Sequence, residues 1–280
     1  MTLTAVVVGA AAGWALWWGL RPVLDLPLFA RVNHRGAAVP TAGGLVIPLT
    51  TLPVAASVAL LGTAGLLDPG PVDAHAAVLA AAGGLALLGL VDALAGTGHD
   101  GRGFRGHLRA LAGGRLTTGG LKLLGGGALA LVVCAPVSGG GTVRLVADAL
   151  LVALAANVGN LFDRAPGRSI KVAALSFAVL ALGTGLPDEL AGAGVVVGAA
   201  LALLPADLRE RVMLGDTGAN AIGGVIGLGV VVATTPATRL SVLAVVVALN
   251  VAGEVVSFSR IIDEVAPLRA LDRVGRRRAS

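Results

Sequence analysis

Three carboxylates in this 280-residue chain stand where they could bind a hard cation that in turn holds phosphate oxygens. Asp92 closes an apolar run in Gly-Leu-Val-Asp-Ala, Asp163 follows Asn157 and Asn160, and Asp216 lies in Gly215-Asp216-Thr217-Gly218. A spacing of three places Asn157, Asn160 and Asp163 on successive turns of one helix face. Carboxylate oxygens are hard donors, and Mg²⁺ takes one or two of them while leaving the rest of its shell to water and phosphate oxygens. Arg and Lys side chains lie in the loops between the carboxylates, in the glycine-rich, basic loop from His99 to Thr118 and again at Arg164, Arg168 and Lys171. Each residue also has a plainer reading. Asp216 could cap a helix, the asparagines could hydrogen-bond between helices, and Asp92 could be an interfacial helix-end residue. Asn250 and Glu254, at i and i+4, add a polar pair to a later apolar run.

The elements that must position these groups are transmembrane helices. With 56% hydrophobic and 13% charged residues and a mean hydropathy of +0.89, the chain is unlike any ordinary water-soluble domain. A span needs about 20 predominantly apolar residues. Nine such runs can be placed, at roughly 2–20, 41–64, 76–95, 119–137, 146–162, 171–186, 189–205, 217–235 and 239–258. The expected fold is therefore all-α: a polytopic transmembrane helix bundle of about nine spans. It forms a single integral membrane domain over 1–280, with a short basic tail from about 260.

The first run has no Lys or Arg before it and Arg21 behind it, which argues for an outside N-terminus and against a cleavable signal peptide. Alternating from there, all of the 21 Lys and Arg residues except Arg144 and Arg239 fall inside. This puts the C-terminus, and all three carboxylates, on the cytoplasmic face of a multi-pass plasma-membrane protein. The net charge of +5 is spread over five membrane-flanking segments, so it reads as a topology signal and contact with anionic lipid, with no nucleic acid partner. Cys134 is the lone cysteine, a packing residue. Many of the 42 glycines recur at small-xxx-small spacing, which lets helices approach closely.

In this setting Asn33-His-Arg-Gly-Ala-Ala-Val-Pro-Thr-Ala-Gly-Gly44, Gly89-Leu-Val-Asp92, Asn157-Val-Gly-Asn-Leu-Phe-Asp163 and Met213-Leu-Gly-Asp-Thr-Gly218 together resemble the polyprenyl-phosphate N-acetylhexosamine-1-phosphate transferases. That superfamily includes the phospho-N-acetylmuramoyl-pentapeptide transferase and the glycosyltransferase family 4 proteins. The resemblance runs over nearly the whole chain, in order and at matching span ends. It implies transfer of a sugar 1-phosphate from a UDP-sugar to undecaprenyl phosphate, with Mg²⁺ as cofactor, in cell-envelope polysaccharide or peptidoglycan precursor synthesis. The implied partners are the polyprenyl phosphate, the nucleotide sugar, the membrane and a second copy in a homodimer. Carried over by position, Asp92, Asp163 and Asp216 are the expected catalytic residues, with Asp92 and Asp216 holding the metal. Asn157, Asn160, Lys122, Arg164, Arg168, Lys171 and His107 are expected to bind substrate.

The sequence also departs from the family. Ala93 stands in place of the second aspartate of an adjacent pair, Arg164-Ala-Pro-Gly-Arg168 in place of Gly-x-Asp-Gly, and Ala266-Pro-Leu-Arg-Ala-Leu-Asp272 where a histidine-rich motif is expected. Two other functions stay open on the sequence: a catalytically impaired homologue that binds lipid phosphate as a regulator or scaffold of envelope synthesis, and a transporter built around Asn250 and Glu254.

Overall fold

In the computed structural model the described residues are 1–32, 36–95, 112–114 and 117–276. Among them, nine long helices coincide with the nine apolar runs: α1 (Thr2–Leu24), α2 (Val46–Thr63), α3 (Val72–Ala95), α4 (Thr118–Cys134), α5 (Thr142–Phe162), α6 (Arg168–Gly183), α7 (Ala191–Leu208), α8 (Gly215–Ala233) and α9 (Pro236–Val255). Counting the 3₁₀ turns that lead into α2 and α7, seven of them are long and apolar enough to cross a membrane. The chain is thus an all-α helical membrane protein. α4, at 17 residues, and α6, at 16, are shorter.

Local chemistry explains where several helices begin. α9 starts at Pro236, whose fixed φ suits a first helical position, and the Thr235 hydroxyl accepts the Thr238 amide as its cap. α4 is capped the same way by Thr117, which accepts from Gly120. Both α6 and α9 begin three residues before the run read from hydropathy, α6 at Arg168 after the left-handed Gly167 and α9 at Pro236 after the Thr235 cap.

α8 is the axis of the bundle: 78% of its apolar window is buried, against 6% for α9. It packs on α3 and α5, and Gly223 faces the α5 backbone at Ala155 and Ala156. α1 lies along α7 through Gly9, Gly13 and Gly198, where an added Cβ would run into the opposing backbone. No hydrophobic drive holds helices together in lipid, so this close approach of small residues does it.

The two ends of the bundle are stitched differently. At the end carrying Asp92, a short hairpin pairs β1 (Ala30–Val32) with β2 (Ala38–Pro40), setting Arg31 opposite Val39. The chain from Pro40 to Gly44 then bonds to the loop before α8: the Met213 amide donates to Pro40 (2.7 Å), Gly43 donates to Met213 (3.1 Å) and Gly44 to Leu214 (2.9 Å). At the far end, the Met1 ammonium pairs with Asp188 at 3.0 Å. Buried Asp148 there accepts from Ser138 (2.5 Å) and from Arg239 (2.9 Å).

The segment beyond 257, read from sequence as a polar tail, folds back. It forms α10 (Phe258–Glu264) and α11 (Ala266–Arg273). The Phe258 ring stacks on Phe162 at the end of α5, with centroids 5.4 Å apart.

Candidate functional site

Asp92 occupies the last turn of α3, Lys122 the first turns of α4, and Asp216 the first turn of α8. The three meet. Lys122 Nζ donates to Asp92 Oδ2 at 3.0 Å and, more closely still, to Asp216 Oδ2. All three side chains are largely shielded, at 20% to 33% exposure. The approach depends on Gly89, one turn before Asp92. A Cβ on Gly89 would lie 2.7 Å from the Thr217 amide nitrogen and would press on the Asp216 carbonyl group, so a methyl there would separate the two aspartates. Asp216 makes no capping bond, since α8 begins after Leu214 with no side-chain cap. Its carboxylate is spent on Lys122, and the positive end of the helix dipole favours its charge.

Asp163 lies at the same place. It is the C-cap of α5, and its carboxyl accepts the backbone amide of Gly215. Burial, then the negative charges of Asp207 and Asp216, push the Asp163 carboxyl up to about 7. Asp207, near the end of α7, belongs to none of the sequence motifs. It is buried and accepts the Gly167 amide at 2.7 Å and the Leu214 amide at 3.3 Å. One carboxylate therefore fixes both the turn after Asp163 and the loop before Asp216. Gly167 takes φ of +72°, in the left-handed region that glycine enters without a Cβ clash. The signal that could have found Asp207 is the one that found Asp92: an acidic residue in the last turn of an apolar helix.

The remaining expected residues divide. Asn157 donates to Asn250 of α9 at 2.6 Å, and Asn250 in turn donates to the carbonyls of Leu154 and Val246. This is the inter-helix hydrogen bond of the plainer reading. Asn160 is half-buried on the Asp163 face, and its carbonyl accepts the Asp163 amide. Arg164 is exposed beside Asp163. Arg168 and Lys171 are engaged with the C-terminal segment. The buried Arg168 guanidinium donates to both oxygens of Asp272 (2.8 and 2.9 Å) and to Ser259 (2.7 Å). Lys171 Nζ donates to the carbonyls of Leu271, Asp272 and Val274. His107 lies outside the described residues, as do most of the basic loop and Asn33. Arg31, from the hairpin, donates to the Ala93 carbonyl at 3.1 Å and so caps the end of α3 beside Asp92.

Two further features bear on ligands. An apolar cleft of about 950 Å³ runs between α5, α6, α8 and α9, from Gly159, Phe162 and Ser169 near Asp163 to Thr184, Thr234 and Thr238 at the far end. Among the described residues, no cluster of three or more His, Cys, Asp or Glu side chains is arranged to hold a metal ion. The donor set at Lys122 nevertheless fits a divalent cation that keeps waters: two carboxylate oxygens from different helices already converge on one positive charge. Next to Asp216, the Thr217 hydroxyl is buried with no hydrogen-bond partner among the described residues.

No family model matches the chain, and no curated protein matches it. The fold defines an all-α helical membrane protein with a carboxylate and lysine cluster at one end of its helices.

Proposed function

We propose that the chain is a divergent polyprenyl-phosphate sugar-1-phosphate transferase, moving a sugar 1-phosphate from a UDP-sugar to a polyprenyl phosphate such as undecaprenyl phosphate. The observation that carries this reading is the meeting of Asp92 and Asp216, from helices far apart in sequence, on one cation between them. In this reading nine helices cross the plasma membrane, with the N-terminus outside and the site end cytoplasmic, where nucleotide sugars are found.

Asp92 and Asp216 would hold Mg²⁺, which when bound supplies charge neutralisation to the donor diphosphate. Lys122 donates to phosphate oxygens, and Arg31 and Arg164 add positive charge at the rim. The turn fixed by Asp207 keeps Asp163 beside Asp216. Asp163, held there by the Gly215 amide, lines the same end of the site. The lipid phosphate has a second pKa of about 6 and is already a strong enough nucleophile at neutral pH without a dedicated base. The apolar cleft beginning at Phe162 and Ser169 would take the first prenyl units, with the phosphate at the Asp163 end.

The test is release of UMP by the purified protein given undecaprenyl phosphate, Mg²⁺ and a panel of UDP-sugars. Release that disappears in Asp216→Asn supports the proposal; no release with any donor sinks it. A second reading has its own observations. Ala93 stands where the resembled family has a second aspartate, and Arg168 and Lys171 are turned to Asp272 and its neighbours. On that reading the chain binds lipid phosphate as a regulator without turnover, and saturable undecaprenyl-phosphate binding in the absence of UMP release would select it.

A further inference from the structure

Lys122 has a position that phosphate binding alone does not explain. Its ammonium is the shared partner of Asp92 and Asp216, and both contacts run through Oδ2. An ammonium is a compact point charge with three donors. Held between two carboxylates, it fills the volume in which a cation bridging the same two oxygens would sit. A monovalent and a divalent cation only a few ångström apart also repel strongly at the dielectric of a protein. Asp92 and Asp216 bring two carboxylates to one ammonium, so Lys122 offsets part of the negative charge that would otherwise call for a divalent ion.

We propose that Lys122 is a built-in cation that holds the metal position of the resting site, so that a divalent ion enters by displacing it. The inference rests on the metal reading of Asp92 and Asp216 given above, and adds the regulation of that site. The four-carbon stem of lysine is flexible enough to swing the ammonium away once a divalent ion takes both carboxylates. Where the lysine-bridged arrangement is about nine-tenths populated, the apparent metal affinity is lowered about tenfold, because binding must first draw on the open fraction.

The chain holds two lysines, Lys122 and Lys171, which makes a direct experiment practicable. Mn²⁺ binding to the detergent-purified full-length protein is read by electron paramagnetic resonance of the free ion. Lys122→Gln should bind Mn²⁺ about tenfold more tightly than the unaltered chain, and Asp216→Asn should lose binding. On the unaltered protein, so that no variant's folding enters, acetylation by an amine-reactive reagent is followed by mass spectrometry with and without Mn²⁺. Lys122 should react several-fold faster when the metal is bound. Lys171, whose ammonium is held by three backbone carbonyls, should not change. Equal or weaker Mn²⁺ binding by Lys122→Gln, or Lys122 labelling indifferent to bound Mn²⁺, overturns the displacement and leaves the metal reading intact. Absence of Mn²⁺ binding in both the unaltered chain and Lys122→Gln overturns the metal reading itself, and the inference with it.

Discussion

Replacing Arg168 by alanine should release the C-terminal helices without unfolding the bundle. Both partners of the Arg168–Asp272 pair are buried, at 5% exposure each, and the guanidinium also holds Ser259. Removing one member of a buried pair strands the other, at about 3 to 5 kcal/mol. Here Asp272 keeps Arg276 and the nearby charge of Lys171, so the loss falls at the lower end, about 3 kcal/mol. That is roughly a hundredfold in the ratio of docked to undocked segment. Since α10 and α11 are 7 and 8 residues long, too short to persist alone in water, the undocked segment unfolds locally. Limited trypsin digestion in detergent reads this directly. Cleavage after Arg260, Arg269 and Arg273 should speed up by one to two orders of magnitude in Arg168→Ala, while the fragment carrying α1 to α9 survives. The double variant Arg168→Ala/Asp272→Ala should be less affected than the sum of the two single changes, because no unpaired charge stays buried. Burial raises the Asp272 carboxyl, but the Arg168 bonds and the charges of Arg168, Arg276 and Lys171 outweigh it and hold Asp272 below the usual carboxylate value. A carboxylate depressed in the fold contributes its stability above the unfolded pKa of about 3.9 and loses it as pH falls further. The unaltered segment should therefore stay docked down to about pH 4 and loosen below it. Digestion of Arg168→Ala at the unaltered rate would refute the argument.

Asp163 has the opposite sign: a carboxyl raised to about 7 favours the fold while protonated, so its contribution falls as pH rises from about 4 through 7. The thermal midpoint of Asp163→Asn should accordingly decline less than that of the unaltered protein between about pH 5 and 7. Gly89→Ala should cost about 1 to 3 kcal/mol by overpacking α3 on α8. It should weaken Mn²⁺ binding by moving Asp92 from Asp216, whereas alanine at Gly126, where an added Cβ has open space, should leave binding unchanged. A reporter fused after Ser280 should be cytoplasmic and one inserted near Pro71, between α2 and α3, outside; a reversed result would invert the proposed orientation of the site.

The amino-acid sequence alone determined the helices, because crossing a bilayer imposes a length and an apolar content that add residue by residue and need no knowledge of neighbours. For the same reason it placed Asp92, Asp163 and Asp216 at helix ends. It could not decide which polar groups meet, since that depends on how each helix is rotated and how closely its neighbours approach, at glycines such as Gly89 and Gly223. That Asn157 meets Asn250, while Asn160 faces Asp163, follows from the rotation of α5. The contacts of Arg168 and Lys171 with Asp272 were likewise set by the last helices folding back. Asp207 fixes two loops at once, which no short motif can express, because its partners lie on either side of it along the chain. Whether Asp92 and Asp216 belong to one site, and that Lys122 stands between them, was decided by the packing of α3 and α4 about α8, where side chains distant in sequence come within one hydrogen bond of each other.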